Sequence, residues 1–252
     1  MTKPATADSP QLCVADDATF WPWFPSPTLG AWPARGRTVV ILPLAGMADW
    51  GLGHPLDAEE TVLTHLLRDA CRLVPKASKP LVLPVLRFAF GAEPSCAFPV
   101  DQPTAHALIA EVAASVAASG FGRIAIVNSS PWSEELCNAA ARDLRVSQGL
   151  HMFHIHLSAL ELDFHPARSR SRRRVQTLLT SLYGNEPEAP VAGHREPTWG
   201  DESVTPLGGP HASLAEARAE GASILATAAA RLAKLVSDIR EAAPLGAKLT
   251  PQ

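Results

Sequence analysis

The chain has 252 residues, 46% of them hydrophobic and 19% charged, and its 22 basic and 25 acidic side chains leave a formal charge of −3. That length can enclose one sizeable core, and so small a net charge gives no electrostatic footing for nucleic acid. Cys13, Cys71, Cys96 and Cys137 form no C-x-x-C pair, which argues against a zinc knuckle or a disulfide framework. With no signal-like leader and no apolar run of the ~20 residues that span a bilayer, the expectation is a cytoplasmic protein with reduced thiols and no membrane partner.

Residues 1–36 stand apart as a Pro/Trp-rich arm, in which Phe20, Trp21, Trp23, Phe24 and Trp32 alternate with Pro22, Pro25, Pro27 and Pro33. The prolines oppose a regular helix, and the aromatic surface needs something to dock on, either its own domain or a neighbouring subunit. From residue 37 to 240 apolar runs alternate with amphipathic stretches, the pattern of strands joined by crossover helices around a mainly parallel sheet. Strands are expected at 38–44, 81–88, 123–128 and 150–158. A first helix follows an Asp57/Glu60 capping box and ends near Val74 and Pro75. A second covers 104–119, and a third starts where Ser130 can cap and Pro131 fits the first turn. Residues 159–212, with a basic run from Arg168 to Arg174 that suits a solvated loop or helix face, have no clear place on the sheet. A long helix then begins at a Ser213/Glu216 capping box, and 241–252 reads as a tail. The fold class is α/β, a three-layer α/β/α domain.

Four segments, in order, resemble the creatininase (creatinine amidohydrolase) family. Ile41-Leu42-Pro43-Leu44 through Gly51, Pro55-Leu56 and Glu59 is similar to the family's first strand and its "EQHG" loop. Phe90-Gly91-Ala92-Glu93 through Phe98-Pro99 resembles a second motif, and Gly120-Phe121 through Val127-Asn128 resembles the strand leading to "NGHGGN". Gly208-Gly209-Pro210 with Ala212-Ser213, Glu216 and Gly221 resembles the closing motif. The resemblance implies a creatininase-like fold and hydrolysis of amide C–N bonds by two divalent metals, whose bound water must be polarised by firmly held cations. It also implies that the ligand positions have changed. The family's Glu and His of "EQHG" fall on Ala48 and Trp50, and the His of "NGHGGN" falls on Ser130, followed by Pro131 and Trp132. Only Glu59, at the bridging carboxylate position, could still ligate. A further family segment has no counterpart in order; the nearest string is Ala192-Gly193-His194-Arg195-Glu196.

Other residues offer alternatives. Asp49 and His54 come into play if the alignment shifts by one residue. His154 and His156 share one face of a strand, since strand neighbours alternate sides, and could form a relocated metal or acid/base site or be structural. Asn128, Ser129 and Ser130 at a strand-to-helix turn could bind an anion, although capping explains Ser130 without chemistry. Trp50 and Trp132 would converge on the former metal position, as a floor for a small planar or cationic ligand or as a plug.

The leading reading is therefore a non-catalytic subunit with no cofactor, in a homo-oligomer or a hetero-oligomer with an active paralogue. Its ligand pocket, if any, is Trp50, Glu59, Asn128, Ser130 and Trp132. The alternative is a divergent amidohydrolase whose centre, holding Zn or Mn, is rebuilt from Asp49, His54, Glu59, His154 and His156. A small-ligand binding protein is the third.

Overall fold

The computed structural model describes residues 18–90, 96–165, 172–184 and 213–243. The described part of the arm lies against the domain. Phe20 is buried and forms a parallel bridge with Val82, Trp21 meets Phe121 edge-on at 5.0 Å, and the Trp32 indole donates to Thr38 Oγ1 at 3.2 Å. One short helix, α1 (Ser26–Gly30), does form there, because Pro27 falls in the first turn where its missing N–H costs nothing.

The chain then runs through β1 (Val39–Ala45), α2 (Ala58–Leu73), β2 (Leu81–Val82), β3 (Leu86–Arg87), β4 (Ala89–Phe90), β5 (Pro99–Val100), α3 (Gln102–Ala118), β6 (Arg123–Asn128), α4 (Glu134–Gln148), β7 (His151–His156), α5 (Arg172–Tyr183) and α6 (Leu214–Glu241). The main sheet has the order β2-β1-β6-β7, with β3 also pairing with β1, and every pairing in it is parallel. β4 and β5 form a separate parallel pair. Alternation along β1 sends Val39, Ile41 and Ala45 to one face, among side chains of α2, α5 and α6. Val40, Leu42 and Leu44 go to the other, among side chains of α3 and α4. Burial on both faces explains the continuous apolar runs, and the result is the expected three-layer α/β/α arrangement.

Several expectations need correction. The strand expected at 81–88 breaks into two short pieces, because Pro84 between them has no N–H to give the ladder. The Asp57/Glu60 capping box does not form: Asp57 accepts the Tyr183 hydroxyl at 2.6 Å, and Glu60 takes a two-pronged ion pair from Arg87. Asp101 instead caps α3, accepting from Thr104 N at 2.8 Å, and Ser213 caps α6 as expected. The stretch left unplaced contains α5, whose first turn exposes Arg173 and Arg174. Arg168, Arg170, the Gly91-Ala92-Glu93 motif, the 192–196 string and the Gly208–Ala212 motif lie outside the described residues.

Two tight fits hold the outer layers. Gly221 of α6 crosses α5 so closely that an added Cβ would lie 2.3 Å from Ser181 Cβ and 3.0 Å from the Thr177 carbonyl. Arg123, almost wholly buried, donates to the carbonyls of Gly36, Ile239 and Ala242, tying the arm's end to the last turn of α6.

Candidate functional site

Parallel strands bring their carboxyl ends to one edge, where α/β folds gather their sites. Here Leu44, Asn128 and His156 stand abreast on β1, β6 and β7, and the loops beyond them carry Gly46, Ser130 and Ser158. Glu59 reaches this edge from the first turn of α2 and is completely buried. Its Oε2 accepts from Gly46 N at 2.7 Å. Burial pushes its carboxyl from the ordinary 4.5 to about 7, against the opposing pull of the Gly46 N–H and the nearby Ser130 hydroxyl.

Gly46 is required at this point. A Cβ there would stand 2.8 Å from Glu59 Oε2 and 3.1 Å from Ser130 Oγ, so carboxyl and hydroxyl flank one small space. Ser130 does not cap a helix, contrary to expectation: its hydroxyl faces this space while Pro131–Ser133 open a 3-10 turn ahead of α4. Glu59 Oε1, Ser130 Oγ and Trp132 Nε1 are buried with no hydrogen bond of good geometry among the described residues. Such orphaned atoms cost about 1–3 kcal/mol each unless something satisfies them.

Trp50 and Trp132 do converge. Their rings lie parallel within 5°, offset with centroids 6.1 Å apart. Phe164 packs on Trp50 at 5.6 Å and His165 on Trp132 at 4.9 Å. Phe164 was not signalled by the sequence, because the chain after β7 has no periodic pattern to place it, and His165 stood out only as a histidine following the His154/His156 strand, not as a partner of Trp132. Gly46 was legible in principle, as the residue that ends β1 where a buried carboxyl must approach backbone.

The rebuilt centre is not assembled. Asp49 Oδ1 accepts from Gly51 N at 2.8 Å, closing its own turn. His54 stacks on Tyr183 at 5.3 Å, with Nε2 at 3.5 Å from Thr180 Oγ1, and burial lowers its pKa to about 4, leaving the ring neutral. His154 and His156 stack on each other at 5.1 Å, and His156 bonds to Asn138 of α4 on the opposite side of the sheet from the α2 layer. Among the described residues no three His, Cys, Asp or Glu side chains meet at one point. Nor does the turn after β6 offer free amides to an anion: the Asn128 side chain takes Ser130 N at 3.1 Å, and Ser129 N bonds the Leu44 carbonyl at 3.0 Å. No helix among the described residues is long and apolar enough to cross a membrane.

Comparison with known proteins adds the following. The family model for creatinine amidohydrolase matches residues 26–217. A Bacteroides fragilis protein assigned as a creatinine amidohydrolase is 13% identical over 90% of this chain and 98% of its own, with a TM-score of 0.67. A creatinine amidohydrolase (creatininase) structure is 17% identical over 90% and 100%, with a TM-score of 0.59. A manganese creatininase is 18% identical over 89% and 99%, with a TM-score of 0.58. Among curated proteins none matches the sequence significantly. At these identities the structures establish a shared fold. Among the described residues Glu59 has one hydroxyl, that of Ser130, beside it, and no three His, Cys, Asp or Glu side chains meet there as a pair of divalent cations would require.

Proposed function

This chain belongs to the creatininase family, and from that premise we propose that it is a non-catalytic member, a subunit that keeps the amidohydrolase fold and has given up the metal pair. The observation that carries the reading is Glu59, a fully buried carboxyl beside Ser130 that, among the described residues, belongs to no group of three His, Cys, Asp or Glu able to hold an ion. Trp50 and Trp132, which the resemblance aligns with ligand positions, bring indoles that cannot ligate an ion. Its role is then structural, in a homo-oligomer or paired with a catalytic paralogue from the same genome.

Co-expression with that paralogue, followed by native mass spectrometry, tests the subunit role. A mixed assembly, or an oligomer of this chain alone that raises the paralogue's activity, is expected. Two species that neither mix nor influence each other would overturn it.

A second reading is supported by the orphaned polar atoms. Glu59 Oε1 donates when the carboxyl holds its proton and accepts when it does not, Trp132 Nε1 donates and Ser130 Oγ can do either, a set suited to a small planar molecule with both donors and acceptors. Under that reading the protein is a small-ligand binder.

A further inference from the structure

Asn128 and His156, the last residues of β6 and β7, pair in register at the carboxyl edge of the sheet. Asn128 turns its amide onto the peptide two residues ahead: Oδ1 accepts from Ser130 N at 3.1 Å, and Nδ2 donates to Ser130 O at 2.7 Å. A backbone N–H can only donate and a carbonyl can only accept, so the orientation of this amide is fixed by chemistry. Its Nδ2 also faces His156 Nδ1 at 3.3 Å. That ring nitrogen must therefore carry a lone pair, and the proton of the neutral ring sits on Nε2, which donates to Asn138 Oδ1 at 3.0 Å. All four contacts are satisfied together in one protonation state of His156.

We propose that His156 is a protonation-sensitive positioning residue: neutral, it holds Asn128 against the Ser130 peptide, and protonated, it releases that peptide and the Ser130 hydroxyl from their place beside Glu59. A proton added to Nδ1 would point at the Asn128 N–H. Turning the amide over to accept it would set Nδ2 against Ser130 N–H and Oδ1 against Ser130 O, replacing two good hydrogen bonds by two like-facing pairs. The charged groups nearby pull both ways. On β7, the stacked His154 ring opposes a second positive charge at 5.1 Å. On α4, Glu134 accepts from Ser158 Oγ at 3.0 Å, and Glu135 favours a charge on His154 while Arg145 opposes it. Across the turn lies Glu59. The inference rests on the proposed reading in one respect, that no metal sits on His154 or His156, which among the described residues belong to no group able to hold one.

Nuclear magnetic resonance on the full chain tests it, from about pH 8 to about pH 5, the range in which an ordinary histidine titrates. At the upper end the imidazole nitrogen shifts of His156 should report the Nε2–H tautomer. As the ring gains its proton, the Ser130 amide should lose roughly tenfold or more of its protection from hydrogen exchange. His156→Gln supplies an acceptor to Asn128 and a donor to Asn138 without titrating, so its Ser130 amide should stay protected throughout. Glu59→Gln should leave the transition in place, separating it from the neighbouring carboxyl. An Nδ1–H tautomer in the native protein would overturn the inference without recourse to any variant. So would a ring that stays neutral over the whole range, a Ser130 amide indifferent to the titration, or a His156→Gln protein that loses protection as the native one does.

Discussion

Glu59 is the residue on which the site turns, and its burial sets a measurable pH dependence. The unfolded carboxyl titrates near 4.5 and the folded one near 7, so the folded state holds the proton more tightly. This group's contribution is fully present below about pH 4.5 and is lost as pH rises through 7, a change on the order of 3 kcal/mol. His54 acts in the opposite sense, since its lowered value makes stability fall as pH drops from 6.5 towards 4. Glu59→Gln removes the first effect and leaves the second. Urea unfolding across pH 5 to 8 should therefore show the variant gaining on the native protein as pH rises, by roughly 2–3 kcal/mol. A constant difference would mean that the carboxyl is not held in its neutral form. At this scale the sequence was partly legible. The resemblance implied that the two tryptophans meet, and their rings do stack. Ser130 as a cap was not borne out, because local propensity favours capping and says nothing of a buried carboxyl 71 residues earlier in the chain.

Among elements, β1 and β6 were readable because both faces are buried and the runs are unbroken. α5 was missed although Val175, Leu178, Leu179 and Leu182 have helical spacing, since the arginines before them masked the start and no cap marked it. Its contact with α6 explains Gly221, an otherwise unfavourable residue inside a long helix. Gly221→Ala improves helix propensity by about 1 kcal/mol, but its Cβ would meet Ser181 Cβ at 2.3 Å. The clash should win, with a net loss of about 1–3 kcal/mol. Thermal unfolding of Gly221→Ala, alone and combined with Ser181→Gly, checks this. The second change should restore most of the loss, and an unchanged melting temperature for the single variant would show that the helices are not so close.

The whole molecule has a fold shared across 90% of its length with solved structures of 13–17% identity. Fold survives such divergence because it depends on burial pattern, whereas a metal pair depends on particular donors. The resemblance of ordered motifs made the fold legible at the outset. It also implied that Trp50 and Trp132 meet, but not that their rings stack in parallel or that a carboxyl is enclosed by Gly46, details set by how distant segments pack. Elemental analysis of the full chain, purified without chelator and then equilibrated with Zn or Mn, tests the central claim most directly. The account predicts well under one tightly held ion per chain before and after loading, whereas two per chain would contradict it.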